Sequence, residues 1–589
     1  MMTRGRLILP CLFLLVFLFQ IYLLTEFKWL YLVTKSIFLV LFLLMGIGLL
    51  GMPRKIRLYA VLSILLIIGL RLPFYFHADG MMFTSDNAIE ALQSLEIRDT
   101  KTVPLFLLNS IGHNGTFKYL LMAFIWDFLG QNYLTFVLFQ AFIFLALIYL
   151  LYMIFRKDFD PKILFILCLA HFSFMEVLFD YSLFLRAAPY LEMFFFFVLG
   201  IYLFDFSFKT KNLLFLSAYS FLFSFYINRT AIFLIVPFVV CATIFSIQRK
   251  VVFKHLYLFL AGALCGGFPV VYQLIWGPRP PDTGDWFKIV FISPSQLSLA
   301  RAPQYILQLI TDFKIIFKNL FSFEFRYMSD FFNVSPLLKQ TLTYVNAAAL
   351  FISAVVVACA AGLAAKRILG LKKRSLAGGD WSYIFFWLLF LSLLGKLFIL
   401  SPHPFHEARH NMDMALLIIL SYVFVLSAIL RMNTLISWKP ALILVLFALL
   451  TIPHYHYFLR MTRFKENSYK KIMAVLKTNN IKYLATDFTI AYPIYFFSDR
   501  KILVSDSWGP ITMRFIYPEL KRKVDAIPWS NKAYLLFSKA YRRTRWIQNK
   551  SYSMRKELEE KLAVTGIHYR VVNLKYYLLI VPFPAIMQE

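Results

Sequence analysis

Residues 84–92 read TSDNAIEAL, and they open a polar insertion, 74–132, in a chain that is otherwise almost continuously apolar. Residues 84–86 are of the types that begin helices, because their side-chain oxygens accept hydrogen bonds from the free N–H groups of the first turn. Apolar and polar residues then recur at helical spacing on different faces: Ala88, Ile89, Leu92 and Leu95 against Asn87, Glu90, Gln93 and Glu96. This pattern predicts a short helix on the membrane surface, with the Asp86 carboxylate at its positive end.

The remaining composition is that of a polytopic α-helical membrane protein. Of the residues 60% are hydrophobic, the mean hydropathy is +0.68, and apolar runs of about 20 residues recur. We expect about 13 transmembrane helices. Their predicted positions are 7–25, 30–52, 57–73, 133–155, 163–180, 189–206, 213–229, 231–248, 256–277, 343–365, 382–400, 412–430 and 440–459. Residues 1–459 thus form a transmembrane domain.

The charge distribution sets the expected topology. The net charge of +30 lies mostly in short loops between apolar runs, so the positive-inside rule explains it and we exclude nucleic acid as a partner. The run 116–130 is not counted as a span, because about 14 apolar residues reach only about 21 Å across a core of roughly 30 Å. The rule then predicts a cytoplasmic N-terminus in the inner (plasma) membrane. The segments 74–132, 278–342 and 401–411 and the tail are expected on the outer, periplasmic side.

The tail, 460–589, is expected to form a small extracytoplasmic α/β domain. The pattern predicts strands at 482–486, 502–505, 533–538 and 568–573, the last forming a hairpin with 576–581, and helices at 468–477 and 554–564, the second closed by Gly566. The tail holds 24 Lys and Arg against 10 Asp and Glu. We interpret its basic face as a contact with anionic membrane lipids rather than with an acidic acceptor.

Two motifs of the insertion carry a resemblance. Ser-Asp-Asn-Ala at 85–88 is followed by Gly-His-Asn-Gly at 112–115 and by a short apolar run that ends at Gly130. This arrangement resembles the first external loop of the C-type (GT-C) membrane glycosyltransferases, a superfamily that includes protein O-mannosyltransferases and the lipid A aminoarabinose transferase. Asn87 stands where the second acidic residue is usual there, and Lys118 stands where bacterial relatives often carry Glu.

The resemblance implies a reaction and its residues. The donor is a sugar on a polyprenyl phosphate, and the acceptor is a hydroxyl of a lipid, glycan or protein. Asp86 is the implied catalytic base, and Arg409, which opens a late span, is implied to hold the donor phosphate. A divalent cation is an optional cofactor, with Asp86 and Asp180 as its candidate ligands. An ordinary helix cap is the alternative interpretation of Asp86.

Further polar residues near the predicted outer boundary complete the candidate site, because charges close to a bilayer commonly serve function or pair with each other. The substrate-binding candidates are Asn87, Glu90, His113, Asn114, Lys118, Asp180, Arg186, Glu192, Arg229, Lys396, His406, Arg409 and His410. An Asp180–Arg186 salt bridge and an Arg229 that only anchors a helix end are the plain alternatives.

Two other classes of function stay open at this point. His406-Glu407-x-x-His410 matches the zinc-protease pattern, in which two imidazoles one turn apart hold zinc and the Glu activates water. A transporter or lipid flippase would also have many spans and buried charges, but the sequence shows no paired broken helices in matching halves.

Overall fold

The structure, a computed structural model, describes most of the chain in separate segments. These are 2–25, 27–50, 85–106, 115–155, 190–207, 210–249, 255–276, 336–371, 381–399, 412–431, 469–509, 517–538, 545–574 and 577–583, with single residues or short runs within 54–65 and at 307 and 311. The chain divides into two compact units. The first comprises Met1–Leu72, Glu96–Phe323 and Leu342–Tyr455, and the second comprises Pro73–Leu95, Glu324–Thr341 and His456–Glu589. Residues 74–95, predicted with the membrane part, thus cluster with the tail.

Long apolar helices make up most of the first unit. They are α1 (Met2–Thr25), α2 (Trp29–Leu50), α3 (Ser85–Thr100), α4 (Phe117–Leu129), α5 (Tyr133–Phe155), α6 (Tyr190–Ser207), α7 (Leu213–Ile227), α8 (Ile232–Arg249), α9 (Leu256–Ile275), α10 (Pro336–Leu371), α11 (Trp381–Ile399) and α12 (Met412–Arg431). The largely polar α3 is an exception, since its residues 85–95 belong to the second unit, as do residues 336–341 at the start of α10. Helices occupy ten of the predicted spans, whereas 57–73, 163–180 and 440–459 lie largely or wholly outside the described residues.

Four of the described helices are long and apolar enough to cross a membrane. The qualifying stretches are Ile8–Thr25, Leu134–Phe155, Tyr190–Ser207 and Leu256–Gln273. Large apolar side chains also stand exposed on several helices, such as Leu264 on α9 at 66% of its surface, as lipid-facing residues do. These features indicate a membrane protein, while the total of about 13 spans and the side of each loop stay predictions.

Close contact between α7 and α9 depends on two glycines one helical turn apart. A Cβ at Gly262 would lie 2.1 Å from the carbonyl oxygen of Phe215, and one at Gly266 would lie 2.2 Å from that of Tyr219. The backbones therefore meet as in small-xxx-small helix pairs. Gln20 of α1 joins the contact, because its Nε2 donates to the carbonyl oxygen of Cys265 at 3.1 Å and its Oε1 accepts from Tyr219 Oη at 2.6 Å.

We expect Gly266→Ala to destabilise the protein by about 3 kcal/mol, because the new methyl group would have to push apart two helix backbones. Unfolding titrated with sodium dodecyl sulfate in mixed micelles measures the change. Gly267→Ala is the matched control on the same helix, since its Cβ would meet only Leu222 Cδ1 at 3.4 Å. Equal effects of the two substitutions would contradict the close contact.

The first insertion is fixed to α1 and α2 through Lys101, which follows α3, and through Asp127 on α4. Lys101 has a positive φ of 54°, and its carbonyl oxygen accepts from Tyr22 Oη. Asp127 on α4 accepts from Lys35 Nζ at 2.8 Å and from Tyr31 Oη at 2.9 Å. Burial alone would raise the pKa of Asp127, but these hydrogen bonds outweigh it and hold the pKa below its usual range. The run 116–130, too short to be counted as a span, forms the 13-residue helix α4.

A five-stranded sheet organises the second unit. Its elements are α13 (Tyr469–Thr478), β1 (Tyr483–Thr486), α14 (Phe488–Phe497), β2 (Leu503–Ser505), α15 (Pro518–Asp525), β3 (Ala533–Phe537), α16 (Arg545–Val564), β4 (His568–Asn573) and β5 (Tyr577–Phe583). The strand order is β2-β1-β3-β5-β4, with β1 parallel to β2 and β3, and β5 antiparallel to β3 and β4. Every residue of β3 is buried, as a central strand requires, and Leu558 and Leu562 of α16 pack on Tyr534 and Leu536.

The predicted α/β nature of the tail is confirmed, including the β4–β5 hairpin and Gly566, whose φ of +66° ends α16. Two helices were missed. The α14 helix carries Pro493 inside an aromatic run, which hides its period, although Asp487 Oδ1 caps it by accepting from Thr489 N at 2.8 Å. The short α15 has five charged residues among its eight and exposes most of its residues.

Candidate functional site

Residues 105, 115 and 116 of the first insertion are held against the C-terminal end of α7. Gly115 N donates to the carbonyl oxygen of Ile227 at 3.0 Å, and Thr116 N donates to Tyr226 Oη at 3.1 Å. Tyr226 Oη in turn donates to the carbonyl oxygen of Leu105 at 2.9 Å. A Cβ at Gly115 would lie 2.7 Å from the Tyr226 ring, so only glycine fits there. These contacts fix the N-terminal end of α4 beside α7.

The start of α6 lies beside the same two helix ends, the N-terminal end of α4 and the C-terminal end of α7. A short 3₁₀ turn, Arg229–Ala231, links α7 to α8, and Asn228 Oδ1 caps it by accepting from Thr230 N at 3.0 Å. Thr230 Oγ1 also lies 3.4 Å from the sulfur of Met193 in the first turn of α6. The N-terminal ends of α4 and α6 and the C-terminal end of α7 therefore converge.

Lys118 and Glu192 form a buried ion pair at this corner. Lys118 Nζ lies 3.8 Å from Glu192 Oε1, and the side chains are only 1% and 4% exposed. At that distance the contact is electrostatic and not a hydrogen bond. Neither carboxylate oxygen of Glu192 has a hydrogen-bond partner within the described parts of the chain. Glu192 is thus a buried carboxylate that keeps its capacity to accept hydrogen bonds from a ligand.

Arg229 is oriented by two neighbours that the sequence did not single out. Its Nη2 donates to Gln273 Oε1 at 3.0 Å, and its guanidinium lies 5.7 Å from the centre of the Phe106 ring. Gln273 is near the end of α9, where a polar residue in an apolar run is a readable signal. Because Arg229 directly follows the capping residue Asn228, its backbone lies at this convergence of helix ends, and its half-buried guanidinium extends to Gln273 and Phe106.

The helix predicted at the opening motif exists, and one part of its description was wrong. As expected, α3 begins at Ser85 with Asp86 in its first turn. However, Asn87 and Glu90, predicted on a solvated polar face, are 1% and 0% exposed. The helix is therefore buried on nearly all sides, except toward its C-terminal end, and does not lie on a surface with its polar face in water. A fully buried Glu90 remains compatible with a site, since buried charges commonly serve function.

Lys396 belongs to a second buried ion pair. Its Nζ lies 2.9 Å from Asp413 Oδ1, and Ser392 Oγ donates to Asp413 Oδ2 at 2.8 Å. Lys396 is in the last turn of α11 and Asp413 in the first turn of α12, so the pair joins two consecutive helices. The sequence analysis missed Asp413. A signal was present, because the apolar run of α11 contains a lysine and the next apolar run begins with an acidic residue, which indicates a charge pair.

Several predicted residues lie outside the described part of the chain. These are His113, Asn114, Asp180, Arg186, His406, Arg409 and His410, and the side chain of Asp86 is also outside it. The zinc-protease pattern falls wholly among them. Within the described residues no three His, Cys, Asp or Glu side chains come together as metal ligands. The divalent cation and the Asp86–Arg409 pairing therefore stay predictions.

Comparison with known proteins adds no function to this geometry. No protein-family model and no curated protein sequence matches the chain. The site is therefore defined by its own contacts: a buried Lys118–Glu192 pair and an oriented Arg229 at one convergence of helix ends. Such a site offers the acceptor oxygens of Glu192 and the guanidinium of Arg229 to a ligand that carries hydroxyl groups and negative charge.

Proposed function

We propose that the chain is an integral membrane glycosyltransferase that moves a sugar from a polyprenyl-phosphate-linked donor to an acceptor hydroxyl at the outer face of the membrane. The buried Lys118–Glu192 pair carries this proposal. Burying two charges away from water costs free energy. Within the described residues neither oxygen of Glu192 accepts a hydrogen bond, and a buried carboxylate of this kind commonly binds a ligand. The apolar helices and the two loop motifs support the same function.

In the proposed reaction Asp86 is the base. The carboxylate takes the proton of the acceptor hydroxyl while that oxygen forms a bond to the anomeric carbon of the sugar. The bond between the anomeric carbon and the phosphate oxygen breaks, and its electron pair leaves with the phosphate. Attack opposite the departing phosphate inverts the anomeric centre. One base is enough, because the leaving phosphate is a weak base and needs no acid, unlike the leaving oxygen of most glycosidases.

Cationic side chains stabilise the departing phosphate in this scheme. Arg409 is the proposed principal partner, since a guanidinium offers two parallel donors and stays charged at the membrane edge. Arg229 is the second, because Gln273 and Phe106 already orient it and less conformational freedom is lost on binding. Lys396 is not assigned to the departing phosphate, because Asp413 Oδ1 lies 2.9 Å from its ammonium group.

Glu192 is assigned to the sugar. Its two oxygens, which accept no hydrogen bond from the residues that the structure describes, suit the hydroxyl groups of a pyranose or furanose ring, which donate hydrogen bonds. Lys118 Nζ, 3.8 Å from Glu192 Oε1, places a positive charge beside this carboxylate. The contact positions the donor and takes no part in bond making.

Nothing in the described part of the chain favours the transporter alternative. The Lys396–Asp413 pair joins the end of one helix to the start of the next and is therefore near a helix boundary. Transporters place their coupling charges near the bilayer midplane, between broken helices in matching repeats.

The test is mass spectrometry of polyprenyl-phosphate sugars and envelope glycans from cells with the chain, without it, and with Glu192→Gln. We expect a polyprenyl-phosphate sugar to accumulate, and one glycoconjugate to disappear, when the chain is absent. Glu192→Gln should reproduce most of this change, because an amide accepts hydrogen bonds less strongly than a carboxylate. Glu96→Gln, at an exposed position of α3, is the matched control. Identical profiles with and without the chain would refute the proposal.

A further inference from the structure

An aromatic cluster lies beside the carboxyl ends of β1 and β2 in the second unit. Trp508 follows the end of β2, Trp529 begins a 3₁₀ turn, and Tyr534 is on β3. The two Trp rings meet edge to face with centroids 5.1 Å apart, while Tyr534 stacks on Trp529 at 5.8 Å. Both Trp side chains are half-buried. The cluster therefore presents part of two indoles to solvent above a buried tyrosine.

A carboxylate is fixed next to these rings. Asp525 Oδ1 accepts from Ser505 Oγ and from Ser507 Oγ, both at 2.8 Å. Both hydrogen bonds use the same oxygen and the residue is exposed, which leaves Oδ2 as an acceptor. Ser507 directly precedes Trp508, so the carboxylate lies at the edge of the aromatic cluster. An acceptor held in one orientation loses little freedom when it binds a ligand.

The buried tyrosine supplies an independent indication of a ligand. Tyr534 is fully buried, and within the described residues its Oη has no hydrogen-bond partner. Buried hydroxyl groups are nearly always hydrogen-bonded, and those that are not require an explanation. Its ring contacts both Trp508 and Trp529, so the hydroxyl belongs to the same cluster.

The charges around the cluster decide the class of ligand. Lys532 Nζ donates to the carbonyl oxygen of Asp525 at 3.2 Å and lies 5.4 Å from the Trp529 ring centre. Lys561 Nζ, 5.0 Å from the same ring, is 2.6 Å from Glu557 Oε1. Both cations are thus engaged by the protein, while Asp525 repels anions. Although the tail is basic overall, this cluster suits a neutral ligand.

We propose that the Trp508–Trp529 cluster binds a neutral sugar unit of a glycan. Sugar hydroxyls donate to Asp525 Oδ2 and accept from indole N–H groups, and the apolar C–H face of the ring packs on an indole. The cluster matches the usual composition of small-ligand sites, which combine aromatic side chains with a few oriented polar groups. This would be a second carbohydrate site, in addition to the proposed transfer site. Sugar binding there does not require the polyprenyl-phosphate-linked donor.

Saturation-transfer difference NMR on the full chain tests the site. The protein is placed in nanodiscs, because sugar-headed detergents would compete, and D-glucose, D-galactose, D-mannose and N-acetylglucosamine are the probes. We expect saturation to reach the ring C–H protons of at least one sugar. Asp525→Asn should weaken that binding about tenfold or more, since hydrogen bonds to a charged group are the strong ones.

Two further variants make the result decisive. Asp499→Asn removes another exposed carboxylate of the same unit and should leave binding unchanged. Trp529→Phe removes the indole N–H but keeps an aromatic ring on Tyr534, and it should also weaken binding. It serves as the test of the site if Asp525→Asn impairs folding. The proposal is overturned if none of the four sugars receives saturation, or if both folded site variants bind like the unaltered chain. Because no transfer is measured, that result would leave the proposed transferase untouched.

Discussion

Asp86→Asn is expected to lower the rate of sugar transfer by about 10²–10⁴-fold, the usual contribution of a positioned general base. Asparagine is isosteric with aspartate but cannot take a proton from the acceptor hydroxyl. It is also as good a helix-cap residue as aspartate. The plain capping interpretation of Asp86 therefore predicts almost no change, and the catalytic interpretation predicts near-complete loss.

The measurement is single-turnover transfer by the purified protein in nanodiscs, from the donor identified by mass spectrometry. Expression and donor binding should match those of the unaltered chain, because Asp86 is at the start of α3 and its proposed role begins only at the acceptor. Asp99→Asn, toward the other end of the same helix, is the control at a partly exposed Arg98–Asp99 pair. A full transfer rate with Asp86→Asn would refute the assigned base.

Lys396→Met and Asp413→Leu are each expected to destabilise the protein by about 3–5 kcal/mol, because each removes the oppositely charged partner of a side chain buried between α11 and α12. The double substitution should recover most of this loss, since apolar side chains of similar volume replace both charges together. The pair is buried to 4% and 0% exposure, so little solvent screens it.

Unfolding in mixed micelles of the single and double variants gives the coupling free energy directly. We expect a coupling of about 3 kcal/mol, far above that of a surface pair. If the effects of the two single substitutions simply add, the two side chains do not stabilise each other. Sugar transfer by a folded double variant then reports whether Lys396 has any part in binding the donor phosphate.

The positions of most helices followed from sequence because apolar run length is a one-dimensional property. The runs at 133–155 and 412–430 are examples, and the corresponding helices are Tyr133–Phe155 and Met412–Arg431. The helix start at 84–86 was also readable, since residues of these types favour a helix start through local hydrogen bonds, and α3 begins at Ser85. In the tail, alternating short strands and helices predicted the α/β class for the same reason.

Burial around α3 could not be predicted in this way. Helical spacing identified a polar face with Asn87 and Glu90, and such a face is solvated by default. In the folded chain the same face is covered. Periodicity records which residues share a face, but not how many faces the surrounding structure covers.

The sequence by itself determined the class of the protein: apolar helices, four of those described being long enough to cross a membrane, and an α/β tail, because both depend on local runs and periods. The pairing of polar groups distant along the chain was decided only by the tertiary structure. Lys118 contacts Glu192, Arg229 donates to Gln273, and Gly266 allows the backbone of α7 to approach. Each of these contacts forms only when the two segments are aligned along their axes and rotated so that the residues face each other. Charge pairing depends on distance in space, and that distance exists only once the helices have packed.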